Sequence, residues 1–297
     1  MLDRTDIVYY YDGTFDGLLC CIFASYAKKE IPLDIIDQNG GQLQLFAGKQ
    51  ILTEKEKARR VACGLRDKAG KQAYAMLQRG FLTCLPQKEI TLLRFARAAF
   101  AQGSGILRTL SHPAVLPLAN ALTHLRREAE LLTGFVRFTE YEGVLGSVIT
   151  PKNQVLPVLA RHFCDRYNAE AFFIYDKTHR QVLLHYGQRS EIRDAAAMEV
   201  PDISAEEQCL QSLWRQFYDT IAIKERYNPR CQRTHMPLRY RDNMTEFQTV
   251  VPKMPPGNGT LQTRAIQQKR YGKPLQTENR SRITEGDSIS GNGLYDL

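Results

Sequence analysis

The hydrophobic pattern of this chain changes period twice. The run 7–11 is short and β-rich, and it stops at Asp12-Gly13. Beyond it Leu18, Leu19, Ile22, Phe23 and Tyr26 recur on one face of a helix, with Thr14 where an N-cap belongs. The opening unit is strand, tight turn, helix. Thr53 and Glu56 have the form of a capping box, and Ala58, Val61, Ala62 and Leu65 follow at helical spacing. Further helices are expected at about 71–81, 87–101 and 113–132. In the last of these Leu118, Leu122, Leu125, Ala129 and Leu132 form the apolar stripe, while Arg126, Arg127, Glu128 and Glu130 are assigned to the other faces.

After Gly134 the pattern shortens. Segments 135–141 and 144–149, rich in β-branched and aromatic residues, flank Glu142-Gly143 and predict a hairpin. A helix over about 153–166 follows, then a second hairpin from 172–175 and 182–186. Ser204 and Glu207 make another capping box. It opens a helix whose Leu210, Leu213, Trp214, Phe217 and Ile221 fall on one face, a stripe read as core. The expected fold class is α+β. A mainly helical half with one N-terminal strand (1–134) precedes an antiparallel sheet of two hairpins with helices on one face (135–247). The alternative is one continuous domain over 1–247. Residues 248–297 hold six Gly and four Pro but only two aromatics, Tyr271 and Tyr295. They lack the apolar surface to offset ordering entropy and read as a disordered tail, in which the basic patch 269–273 reads as a solvated run, with phosphate contact as the alternative.

Composition narrows the setting. Forty basic and 32 acidic residues give a formal charge of +8, which favours an anionic partner such as nucleic acid. Seven cysteines without a C-x-x-C pair suit neither a zinc site nor a secreted disulfide framework. Nor do they suit an iron–sulfur centre. No metal or cofactor is expected on this chain. The N-terminus lacks a cationic leader, and its longest early apolar run, 18–24, is far short of the roughly 20 residues of a membrane span. The expected location is the cytoplasm.

Two segments carry candidate chemistry. The stretch 226–241 holds five arginines and no acid, interrupted by Pro229 and Pro237, and predicts an irregular basic ribbon. Arg226, Arg230, Arg233, Arg239 and Arg241 suit phosphates, Tyr227, His235 and Tyr240 offer ring faces for bases, and Asn228 lies among them. The competing reading is a structural clasp, with the arginines neutralised by carboxylates of the same domain. At the other end of the chain, Asp12 and Asp16 flank a strand–helix turn. They are well explained as turn and first-turn residues. The alternative makes them metal ligands or an acid and base at a strand's carboxyl end. Gly13 and Gly17 serve turn geometry and close packing, since no G-x-G-x-x-G or Walker pattern is present. The histidines at 112, 124, 162, 179 and 185 read as solvent-facing or satisfied, and Glu128, Glu130, Glu140 and Glu142 as ordinary surface carboxylates.

Tyr10-Tyr11-Asp12-Gly13-Thr14-Phe15-Asp16-Gly17, together with the Arg-Tyr-Asn-Pro, His-Met-Pro and Arg-Tyr-Arg elements at 226–241, resembles a family of bacterial DNA metabolism or repair proteins built on a domain of unknown function. The resemblance covers roughly 7–247. It implies a radical-SAM protein as companion in DNA repair or modification. Some members of the family carry a uracil-DNA-glycosylase-like domain, and this chain resembles the stand-alone form. The function expected is that of an accessory protein contacting nucleic acid. An enzyme acting on a nucleotide or nucleic acid through Asp12 and Asp16, and a protein-only scaffold, are the alternatives.

Overall fold

The structure is a computed structural model that describes residues 7–38, 48–196, 198 and 201–248. These belong to one compact unit ending at Gln248. The expected tail lies outside the described residues.

The chain opens with β1 (Val8–Tyr11), α1 (Phe15–Ala27), β2 (Asp34–Asp37) and β3 (Gly48–Gln50). Both neighbours of β1 run parallel to it, in the order β2-β1-β3. The sequence pattern yields only the central strand. Val8, Tyr9 and Tyr11 are buried and make a continuous apolar run, as a two-sided parallel strand requires. β2 and β3 carry Asp34, Asp37, Lys49 and Gln50 at the edges, where alternation is weak. α1 is apolar nearly all round, and Leu18, Leu19, Cys20, Cys21 and Ile22 are all buried.

α2 (Lys55–Phe81) breaks at Gly70, whose φ of 87° no L-residue helix accommodates; this accounts for two sequence-predicted helices in one element. α3 (Lys88–Gln102), a 3-10 segment (Gly103–Arg108) and α4 (Leu116–Phe135) complete the helical half. The capping box predicted at Thr53 does not form. Glu54, not Thr53, is the N-cap of α2 and makes no side-chain cap bond; Thr53 lies one residue outside the cap, and its hydroxyl donates to Asp12 at 2.7 Å.

β4 (Thr139–Tyr141) and β5 (Val144–Ile149) form the expected hairpin, with φ positive at both Glu142 and Gly143 as a two-residue type I′ turn requires. α5 (Leu156–Arg166) follows, then β6 (Phe172–Asp176), β7 (Gln181–Tyr186) and β8 (Arg189–Asp194). The sheet order is β4-β5-β6-β7-β8. It is mixed and not antiparallel throughout: β5 and β6 pair in parallel, since α5 returns the chain to the same end before β6 begins. α6 (Ala205–Ile221), a 3-10 turn (Lys224–Arg226), α7 (Pro229–His235), α8 (Leu238–Arg241) and a final 3-10 turn (Thr245–Phe247) close the described chain.

One apolar cluster packs α1, α2 and α3 against the parallel sheet and ends at Leu118 of α4. A second joins Leu125, Ala129 and Leu132 of α4 to α5, to Phe172, Ile174 and Leu183 of the mixed sheet, and to Tyr240. α4 thus supplies successive turns of one stripe to both cores. A smaller cluster of Phe173, Tyr175 and Val182 lies on the alternate side chains of the same strands.

Candidate nucleic-acid interface

Glu128 is the pivot of the C-terminal segment. Its side chain is 3% exposed and sits on the core face of α4, three residues after Leu125 and four before Leu132. Oε1 accepts from the backbone N–H of Lys152 at 3.0 Å, Oε2 from Asn153 N at 2.8 Å and Asn153 Nδ2 at 2.6 Å. Tyr240 Oη at 3.0 Å and Arg239 Nη2 at 3.1 Å complete the set on Oε1. Burial pushes this carboxyl up, but the bonds from Lys152, Asn153 and Tyr240 outweigh it and hold its pKa below the ordinary value. Glu128 is therefore no surface carboxylate. The signal was present in its spacing within the Leu125–Leu132 stripe, which placed an acid among core positions.

A second clasp lies at Glu246, whose carboxylate takes a two-point pairing from Arg137, Nη2 at 2.8 Å and Nε at 3.2 Å. The Trp214 indole N–H reaches the same carboxylate at 3.3 Å.

These clasps divide the predicted basic ribbon. Tyr240 is 2% exposed, packed against Phe135 and bonded to Glu128, so it offers no face to a base. Arg239 pairs with Glu128 while leaving 40% of its side chain open. Arg241 bonds Gln232 and the Met236 carbonyl, each at 3.5 Å, and lies over the Phe247 ring. Its Nε is buried and has no partner among the described residues. The ribbon is also less irregular than expected. Pro229 occupies the first turn of α7 and Pro237 the N-cap of α8, positions where a missing N–H costs nothing. Asn228 accepts from Cys231 N at 3.0 Å and caps α7. That bond commits its side-chain oxygen to the fold.

Arg226, Tyr227, Arg230, Arg233 and His235 remain exposed, Tyr227 by 72%. Arg233 Nε donates to the Pro229 carbonyl and His235 Nδ1 lies 3.0 Å from the Cys231 carbonyl. Among the described residues none of these three arginines pairs with a carboxylate.

Asp12 stands at the carboxyl end of β1. Its Oδ1 accepts from Thr14 N at 3.0 Å and Thr14 Oγ1 at 2.7 Å, and Oδ2 accepts from Thr53. Thr14 Oγ1 in turn accepts from Gly17 N, so Thr14 is the N-cap expected. Burial raises the Asp12 pKa; the two hydroxyls and the Thr14 N–H outweigh it and leave it low. Close packing explains Gly17, where a Cβ would lie 2.2 Å from Asp12 Oδ1. Asp16 is exposed in the first turn of α1. Among the described residues no hydrogen bond or ion pair joins Asp12 or Asp16 to Arg239 or Arg241, and no group of three acidic, His or Cys side chains is arranged to hold a metal ion.

Two further expectations change, for His185 and for the α6 stripe, while that for His179 holds. His185 is neither solvent-facing nor satisfied: it is buried, stacked on Phe172 at 4.8 Å, and neither ring nitrogen has a partner among the described residues. His179 is satisfied through Asp176, a fully buried carboxylate 2.6 Å from its Nδ1. The α6 stripe is not core. Leu210, Leu213, Trp214, Phe217 and Ile221 are 41–57% exposed, and α6 turns Gln211, Arg215 and Tyr218 toward Thr139, Gln248 and Phe247 instead. No helix among the described residues is long and apolar enough to cross a membrane.

Fold and site together define an α+β protein in which a mixed sheet and a buried glutamate anchor a basic C-terminal arm. The family described as a domain of unknown function, DUF4130, matches residues 86–246, more than half of the chain, and the chain belongs to it. The match takes in both clasps and the arm, while Asp12 and Asp16 lie before it. No curated protein and no solved structure matches the chain.

Proposed function

We propose that this protein is an accessory factor of DNA metabolism or repair that contacts nucleic acid through its arm from Arg226 to His235. The observation that carries the reading is the exposure of Arg226, Arg230 and Arg233 without carboxylate partners among the described residues, beside the exposed ring of Tyr227. Guanidinium forks bind phosphate oxygens, and a neighbouring ring stacks on unpaired bases. The overall charge of +8 acts in the same direction. Arg239 contributes its open edge, whereas Tyr240 and Arg241 serve to position the arm. The companion in this reading is a radical-SAM protein, on the strength of the family resemblance. The enzyme alternative gains little from Asp12, whose oxygens are occupied by hydroxyl and amide donors and whose basicity is lowered accordingly.

Binding of labelled single- and double-stranded oligonucleotides across a salt series tests the arm. Affinity should fall steeply with salt, and alanine at Arg226, Arg230 or Arg233 should each take about one unit from the slope of log K against log salt. Unchanged slopes in the triple variant would remove the arm from the interface. Co-expression with a radical-SAM companion, followed by pull-down with and without nuclease, separates direct docking from tethering through DNA.

A further inference from the structure

The geometry points to a second binding site, remote in sequence from the arm, that takes a small aromatic anion of the aryl phosphate or mononucleotide class. It is an open groove of about 610 Å³ lined by Phe23 and Tyr26 of α1, Arg60, Gly64 and Lys68 of α2, and Phe100 of α3. That volume falls within the range of small-molecule sites, roughly 300–1,000 Å³.

Its shape originates in one residue. Gly64 sits in the interior of α2, where glycine weakens a helix relative to alanine. Close packing against α3 does not demand it, because a Cβ there would meet the Phe100 ring at 3.4 Å, an ordinary contact. The missing side chain leaves the Phe100 ring edge uncovered on this face of α2, where a Cβ would rest in contact with it. The helix is weakened at a position on the groove wall, where a larger residue would project into the space.

Its charge is one-sided. Arg60, Gly64 and Lys68 follow at four-residue spacing and so share a face of α2, with the two cations about 12 Å apart along the helix. Both are exposed, neither pairs with a carboxylate among the described residues, and the lining contains no acid. The Arg60 guanidinium lies 5.8 Å from the Phe23 ring centroid, and Tyr26 meets Phe100 edge-on at 5.6 Å. A ligand seated there meets aromatic walls in the middle and a cation at either end. Aromatic walls favour a ring over an alkyl chain through edge and offset contacts, and guanidinium with ammonium favours phosphate.

Titration of the full chain with naphthyl phosphate, followed by the fluorescence anisotropy of the probe, tests the site; octyl phosphate and inorganic phosphate are run beside it. The expected order is naphthyl phosphate tightest, octyl phosphate weaker and inorganic phosphate weakest. Gly64→Met should abolish the preference by filling the groove, with the thermal midpoint unchanged or raised. The double variant Arg60→Ala/Lys68→Ala should weaken naphthyl phosphate by about tenfold, the loss of one charge-assisted contact whichever end holds the phosphate. The inference is overturned if naphthyl and inorganic phosphate bind alike, if the octyl ester binds as well as the aryl ester, or if Gly64→Met leaves affinity intact. Absence of binding into the millimolar range overturns it equally. Because Arg226, Arg230 and Arg233 are untouched in these variants, failure here leaves the nucleic-acid arm standing, and the reverse holds too.

Discussion

The Tyr240 hydroxyl donates to the Glu128 carboxylate at 3.0 Å across 112 positions of sequence. Arg239, one residue earlier, reaches the same oxygen. This buried acid therefore fastens the 239–240 segment to the middle of α4, alongside the second clasp of Glu246 on Arg137, and the exposed arm precedes that fixed point.

Removing the acid strands its donors. Glu128→Ala should destabilise the fold by about 3 kcal/mol, since it leaves the Lys152 and Asn153 amides, the Tyr240 hydroxyl and a half-open arginine without their acceptor. The urea midpoint at neutral pH measures the loss. Arg226→Ala or Arg230→Ala should leave that midpoint in place, because both side chains are exposed.

The same carboxylate makes the fold acid-sensitive. Burial raises the pKa of Glu128 and of Glu246, but bonds from Lys152 and Asn153 in one case and from Arg137 in the other hold both below the ordinary 4.5. A group depressed in the native state contributes stability above its unfolded pKa and loses it as pH falls through the native one. Stability should be flat above about pH 5 and decline below 4.5. Glu128→Gln should start lower at neutral pH and decline less, as urea titrations across pH 3–7 would record; an equally steep decline would show that Glu128 is not among the groups responsible.

Asp12 ties two loops at the carboxyl end of β1, the central strand of the parallel sheet. Asp12→Asn should cost about 1 kcal/mol, because the amide cannot accept at both ends from Thr14 and Thr53. Thr53→Val should cost about as much, and the double variant less than the sum, which a double-mutant cycle by thermal unfolding measures.

Trp214 is the single tryptophan of the chain and is 41% exposed on the apolar face of α6. Acrylamide should quench the native fluorescence nearly as well as that of the urea-unfolded chain. Strong protection would mean that the α6 stripe is covered in solution.

Thiol reactivity should follow burial. Cys63, Cys84, Cys209 and Cys231 are exposed and should react quickly with an aromatic disulfide reagent. Cys20 and Cys21 are buried, and burial raises both of their pKa values, so they should react only on unfolding.

What the sequence alone determined is the local order of this protein. Thr14 and Ser204 as N-caps, the Glu142-Gly143 turn and the helices over α3, α4 and α5 depend on contacts within a few residues, and patterns of that length carry them. The α+β class and the placement of the basic arm followed from the same short-range signals. Tertiary structure decided the rest. Edge strands β2 and β3 exist because β1 pairs with them, and their own residues alternate too weakly to announce it. The crossover through α5 made β5 and β6 parallel. An apolar stripe at helical spacing says that a face is amphipathic but not which way it is turned, and α6 turns its stripe outward. An arginine in sequence has no partner until the chain folds. Glu128 captures Arg239 and Tyr240 and leaves Arg226, Arg230 and Arg233 open, a division set by distances between residues more than a hundred positions apart.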